Sequence, residues 1–374
     1  MGRKLLLACA SGVIVVIFVG LSLAVGEVAI RSVHLLRDDI PFFESPAGGK
    51  VGPITLDSEL GWKATEHYQE VLVEKTKKGV PYEVRRSQKQ YGFRRFGDVQ
   101  SRKPKLLVIG DSFTQATAVS DDRTYHALLE TLLGVEVFAY GAGGYGTLQE
   151  LLILERYLDV IEPDAILWQF CMNDFINNDN DLERQSVINN NGWTRPYWRN
   201  GAVVMLSPKE SAVQVREWIN RHSRFLYFIV SRVDRLRASA ARQTVEIDIE
   251  NVGMAHPGFR RAMETTDRLM GRVRERVGQR PIMAFNCVQM EPYSQAFRNI
   301  ANHYGVEYWD DVAEGVRAAE TRGEDVLTLD DHWNERGHEI VAHAIAKHVR
   351  ARGGIAVKRG PGVGSVQIMN RGNS

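Results

Sequence analysis

From residue 105 onward, short apolar runs alternate with helix-patterned stretches, and this alternation restricts the fold more than any other feature of the chain. The runs are 105–109 (KLLVI), 135–140 (VEVFAY), 165–170 (AILWQF), 281–287 (PIMAFNC) and 306–309 (VEYW). Each is nearly all apolar, the pattern of a strand covered on both faces. Strands of this kind separated by helices predict an α/β fold in which a parallel sheet lies between two helical layers. Groups that do chemistry on such a sheet gather outside the carboxyl ends of its strands.

The first of those ends carries a candidate nucleophile: Gly110-Asp111-Ser112 follows the first run. A serine hydroxyl is a weak nucleophile until a base takes its proton and a third group orients that base. The segment 329–338 (LDDHWNERGH) places Asp330 and Asp331 just ahead of His332 and of a helix-patterned stretch, 339–350. Gly-Asp-Ser is by itself a common turn, and an acidic turn capped by Asn334 is an ordinary way to begin a helix. Asn334 is expected to be that cap and Asp330 to be functional. Asp111 is expected to tie down the turn that presents Ser112, and Trp333 to pack.

Four blocks, VIGDSF at 108–113, GAGGYGT at 141–147, CMND at 171–174 and DDHWNERGH at 330–338, resemble in order those of the SGNH (GDSL-type) hydrolases. The resemblance spans roughly residues 104–350. The flanking TAVSDDRTYHALLE and GYGTLQELLIL extend it toward the membrane-anchored bacterial members. It implies the three-layer α/β/α, flavodoxin-like sheet of that family. It also implies that Ser112 attacks an ester carbonyl, His332 takes the proton and Asp330 orients the imidazole. The oxyanion donors would be the N–H groups of Ser112 and Gly144 and the side-chain amide of Asn173. No cofactor and no metal are called for.

Three positions depart from the family pattern. Leu329 occupies the slot where the commonest pattern has a carboxylate three residues before the histidine. The Asp-x-His-Trp form found instead resembles the polysaccharide O-acetyltransferase branch and favours Asp330 over Asp331. Cys171 stands for the usual glycine of the third block and Ala139 for the leading asparagine of the second, and neither change removes a catalytic group. The expected function is a membrane-anchored, extracytoplasmic serine esterase acting on acyl-ester or acetylated carbohydrate substrates. The alternatives are a polysaccharide O-acetyltransferase using the same groups and a non-catalytic envelope polysaccharide-binding protein.

Two other motifs suggest different chemistry. Residues 141–146 match G-x-G-x-x-G between a strand and a helix, as a dinucleotide site requires. The next strand, however, ends in Cys171-Met172-Asn173 rather than in the acidic residue that would bind the ribose. In 338–343 (HEIVAH) the two histidines are one residue too far apart for a zinc-protease helix, and on a helix they diverge by roughly 140°. The balance of 47 Lys+Arg against 46 Asp+Glu offers no general attraction for nucleic acid. Of three cysteines, Cys9 lies in the N-terminal apolar run; Cys171 and Cys287 sit at strand ends, where a bridge between them stays open.

Residues 5–25 are uncharged and almost wholly apolar, long enough to cross a bilayer as a helix, and residues 1–25 are read as an anchor. A cleavage site at Ser22-Leu23-Ala24 is the alternative. Arg3 and Lys4 favour a cytoplasmic N-terminus. Residues 26–101 read as a linker, crowded with Pro41, Pro46, Gly48, Gly49, Gly52 and Pro53, followed by a small β lead-in outside the catalytic sheet. Its short runs 70–74 and 82–85 precede Gly92-Phe93-Arg94. The catalytic domain is placed at 102–352, with an insertion at about 175–263 whose amphipathic stretch, 212–241, carries Arg216, Arg221, Arg224, Arg232, Arg235 and Arg237 on a solvated face. Trp193 and Trp198 are read either as a sugar-stacking rim or as packing residues. Residues 353–374, rich in glycine and basic residues, are expected to be a flexible tail. Oligomeric state is left open.

Overall fold

The computed structural model describes residues 2–38, 42–43, 53–189, 192–206, 215, 218–219, 222–240 and 244–356. Most of the proline- and glycine-rich linker, Arg216, Arg221 and the tail from residue 357 lie outside the described residues. In chain order the elements are α1 (Gly2–Asp38), β1 (Ile54–Asp57), β2 (Gly61–Ala64), β3 (Gln69–Lys75), β4 (Pro81–Ser87), β5 (Arg95–Phe96), β6 (Lys105–Gly110), α2 (Ser112–Gln115), α3 (Tyr125–Leu133), β7 (Glu136–Gly141), α4 (Thr147–Ile161) and β8 (Ala165–Phe170). They continue with α5 (Met172–Asn178), α6 (Asn180–Gln185), β9 (Arg195–Arg199), β10 (Ala202–Leu206), α7 (Arg224–Ala240), α8 (Val245–Val252), α9 (Pro257–Val277), β11 (Ile282–Asn286), α10 (Tyr293–His303), β12 (Glu307–Trp309), α11 (Asp311–Thr321) and α12 (Glu335–Ala351).

The central sheet runs β12-β11-β8-β6-β7-β5. All five expected strands are present and parallel. Strand period 2 sends alternate residues to opposite faces. Leu107, Ile109, Phe138, Tyr140, Ile166 and Trp168 pack on one side with Leu154 of α4 and Val273 of α9. Leu106, Val108, Val137 and Leu167 pack on the other with Leu129 of α3 and Ile345 of α12. The strand order reverses beside β6, the switch point where open α/β sheets place their ligands.

The stretch before residue 101 is not wholly separate from this sheet, because β5 pairs antiparallel with β7 and extends its edge. A two-residue strand carries too little periodicity to be read from sequence. The other lead-in strands form hairpins β1-β2 and β3-β4. The alternation of strand and helix resumes with α9 at Pro257, which packs on α4 and α5. The basic face of the inserted helix is not uniformly solvated, since Arg224 is only 3 % exposed. Helix α1 continues past residue 25 to Asp38, and Glu27 accepts hydrogen bonds from Ser223 and from the Arg224 and Phe225 N–H groups at the start of α7. An 18-residue window within its segment Ser11–Leu36 has a mean hydropathy of 2.6, and the segment is long enough to cross a membrane.

Candidate active site

The serine turn is shaped by what it packs against. Strand β6 ends at Gly110, and Asp111, fully buried, accepts a hydrogen bond from the N–H of Phe113, closing the turn. Ala116, with φ +51°, ends the one-turn helix α2. Gly141 of the next block lies so close that an added Cβ would stand 2.4 Å from the Gln115 nitrogen and 2.5 Å from the Asp111 carbonyl oxygen. The glycine-rich turn is therefore packed against the serine turn.

Ser112 meets its expected partner across the fold. His332 Nε2 lies 2.8 Å from Ser112 Oγ, within hydrogen-bonding reach. His332 Nδ1 lies 3.2 Å from the Asp330 carboxylate and 3.2 Å from the Asp330 backbone carbonyl. Phe113 lies against the imidazole, ring centres 4.7 Å apart, and Trp333 packs beneath, 2 % exposed, against Phe113 and Tyr125. Asp331 turns away, with φ +62°, to pair with Lys77 at 2.7 Å. Leu329 is exposed.

Charge follows from this geometry. The Asp330 carboxyl is held below the ordinary carboxylate range by its hydrogen bond to His332, against partial burial and with help from the Thr328 hydroxyl. Burial pulls the His332 imidazole down, but the Asp330 hydrogen bond and charge, with Asp111 behind, outweigh it and leave its pKa raised. The Asp330 side chain is 74 % exposed, so solvent screens much of this attraction. His338 is a different kind of histidine. Fully buried, it accepts the Tyr125 N–H and is pushed down to about 3 by burial, so it stays neutral. His343 is exposed on the same helix, and the two histidines share no face.

The second and third blocks reach the same edge. A Cβ on Gly143 would stand 3.9 Å from that of Ser112. Gly144, with φ +74°, adopts a conformation that side chains disfavour. Among the described residues, no carbonyl or side chain accepts the N–H of Ser112 or of Gly144. Asn173 Nδ2 donates to Tyr145 O and to Asn177 Oδ1, both at a long 3.3 Å. Cys171, just before that helix, is bonded to Cys287 at the end of β11, with Cα atoms 5.4 Å apart.

The support around these groups was hidden in the sequence. Gln115 accepts the Gly143 N–H at 2.8 Å. Trp62 Nε1 donates to the Gly143 carbonyl at 3.2 Å, and Arg195 to that of Gly144 at 2.8 Å. Arg94, 2 % exposed, donates to the carbonyls of Gln115 and Val119 and pairs with Asp121. Strand β3 continues into a bridge between Thr76 and Thr328 beside the histidine loop. Of the four side chains that hold these turns, Gln115, Trp62, Arg195 and Arg94, only Arg94 stood in a motif singled out in the sequence, the Gly-Phe-Arg of the lead-in. Trp193 is half-exposed against Trp62, and Trp198 is partly buried under Arg272.

Comparison with known proteins follows the same lines. Residues 108–340 match the GDSL-like lipase/acylhydrolase family. Among solved structures, a lipase/acylhydrolase from Enterococcus faecalis is 12 % identical, covers 69 % of this chain and 100 % of its own, and has a TM-score of 0.38. A psychrotrophic esterase from Pseudoalteromonas is 11 % identical over 66 % of this chain and 98 % of its own, TM-score 0.37. A carbohydrate esterase from Corynascus, solved with a carbohydrate-binding domain, is 12 % identical over 76 % and 87 %, TM-score 0.38. No curated protein matches the chain. With the family match running through more than half of its length, the chain belongs to the GDSL-like lipase/acylhydrolases and is a hydrolase of ester bonds.

Proposed function

We propose that this protein is a membrane-anchored, extracytoplasmic serine esterase for acyl or acetyl esters, with Ser112 as nucleophile, His332 as base and Asp330 as the orienting carboxylate. The observation that carries this reading is the 2.8 Å approach of His332 Nε2 to Ser112 Oγ, two groups from distant parts of the chain. In the proposed reaction Ser112 Oγ bonds to the ester carbonyl carbon while its proton passes to Nε2. The resulting oxyanion is met by the N–H groups of Ser112 and Gly144 and by the Asn173 amide. The tetrahedral intermediate then releases the alcohol, which takes the proton from His332. Water, deprotonated by the same imidazole, attacks the acyl-enzyme, and the acid is freed as the bond to Ser112 Oγ breaks and His332 returns the proton to that oxygen. Preorganised donors of this kind contribute on the order of 3 kcal/mol each.

Two features support the location. A long apolar helix whose most apolar stretch is unburied suits a bilayer, and the Cys171–Cys287 bond suits an oxidising compartment. Glu27, docked on α7, would lie outside the bilayer, so the crossing segment would end before it.

A second reading, transfer of the acetyl group to a polysaccharide hydroxyl, is favoured by the Asp-x-His-Trp element and by the half-exposed Trp193 ring beside Trp62. Incubation with acetylated donor and oligosaccharide, followed by mass analysis, separates acetate release from acetyl transfer. The test of the nucleophile is Ser112→Ala: turnover of p-nitrophenyl acetate should fall at least about a thousandfold, and the mass increment of an acyl-enzyme should vanish. Undiminished turnover would overturn the assignment.

A further inference from the structure

Buried polar groups from both flanking regions converge on the backbone of the glycine turn. The Gly143–Gly144 peptide is trans, since the cis bond in the described chain is Glu291–Pro292. A trans peptide directs its C=O and its N–H to opposite sides. Trp62 Nε1 holds that C=O from one side at 3.2 Å, so the Gly144 N–H is turned to the other. Ser112 is close at hand, 3.9 Å from the position of a Gly143 Cβ.

The next carbonyl is held as well. Arg195, completely buried, donates from Nη2 to Gly144 O at 2.8 Å. Its guanidinium lies over the Trp62 ring, 4.9 Å from the centroid, and its Nε stands 3.0 Å from the Glu183 carboxylate. Glu183 in turn accepts the Tyr197 hydroxyl at 2.5 Å. The lead-in is keyed to the same turn. Tyr145 donates its hydroxyl to Trp62 O at 2.6 Å, and Gln149 Nε2 donates to Leu60 O at 2.7 Å. A peptide between two glycines rotates with little steric resistance. Leaving it free would let an oxyanion donor swing out of register, and preorganisation is what makes such a donor effective.

We propose that Trp62 and Arg195 are positioning residues that hold the peptides on either side of Gly144, Trp62 the Gly143–Gly144 plane and Arg195 the Gly144–Tyr145 plane, and so fix the Gly144 N–H as an oxyanion donor. The inference deepens, and rests on, the reading of Ser112 and Gly144 given above. It assigns a shared task to two regions outside the family blocks: Trp62 comes from the lead-in, Arg195 from the segment after β8.

The test uses the full-length chain in detergent, with p-nitrophenyl acetate and a boronic acid that forms a tetrahedral adduct on the serine. Trp62 is replaced by phenylalanine and, in a second variant, by its benzothienyl isostere, which keeps the ring shape and removes only the N–H. Arg195→Lys is the third variant, keeping the charge beside Glu183 but not the fork. Each should lower kcat about tenfold, with KM within about twofold. Boronate affinity should fall by the same factor as kcat, and the pH profile, which reports His332, should not move. Ser112→Ala is assayed alongside.

If Ser112→Ala is inactive while the isostere and Arg195→Lys keep normal kcat, the lock is overturned and the esterase reading stands. A rise in KM at unchanged kcat overturns it equally, because the pair would then shape substrate binding. If Ser112→Ala stays active, the esterase reading fails and the inference falls with it.

Discussion

At the residue scale, the choice between two neighbouring carboxylates decides the pH behaviour. Asp330 faces the imidazole and Asp331 faces Lys77. His332 must be neutral to accept the serine proton, and its pKa is raised above the ordinary 6.5, so kcat/KM should rise through a limb centred above that value. Asp330→Asn should move the limb downward in pH and lower the plateau by about a hundredfold. Asp331→Asn should leave both near normal, and a larger loss from Asp331→Asn would reverse the assignment. The pair also links to stability. The raised imidazole stabilises the fold below 6.5 and loses that contribution as pH climbs through its folded pKa. The depressed carboxyl stabilises above 3.8 and loses its contribution as pH falls through its own. The pair therefore stabilises most between those two values. At this scale the sequence was informative where a block is contiguous: it named Ser112, His332 and Asp330, and the structure brings these three side chains together. Trp62 and Arg195 left no trace, because an isolated indole or guanidinium looks the same whether it holds a catalytic peptide or lies on a surface.

At the scale of elements, the five parallel strands were legible because each is a run of buried residues, and Asn334 caps α12 by accepting from Arg336 and Gly337 as its position suggested. What escaped was short or non-periodic. The two residues of β5 have no period, and the β3-to-328 bridge joins segments whose pairing depends on distant chain. The Cys171–Cys287 bond was left open for the same reason, since two strand ends become neighbours only once the β8–β11 pairing is known. That bond closes a loop with a sequence separation of 116 residues and anchors the start of the helix that carries Asn173. Cys287→Ser should cost about 2–4 kcal/mol of unfolding free energy, seen as a lower urea midpoint that reductant imposes on the parent protein but not on the variant. Equal midpoints for the parent with and without reductant would contradict it.

Across the whole molecule, the apolar helix was recognised from composition alone, but its continuation to Asp38 and its seat on α7 through Glu27 were not, since neither follows from hydropathy. If α1 is an uncleaved anchor, the chain should stay with membranes after alkaline carbonate extraction and keep its full mass; a shortened, soluble product would point to a cleaved leader instead. Segments before residue 101 reach three of the site's loops: Arg94 just after the serine turn, Trp62 at the glycine turn, and the end of β3 beside the histidine loop. A nascent chain thus makes these braces before it makes the groups they brace, and the last of those groups, the histidine loop, is made only just ahead of the final helix. Ester cleavage then becomes a report of finished assembly: a chain released early would carry the nucleophile and lack the architecture to use it.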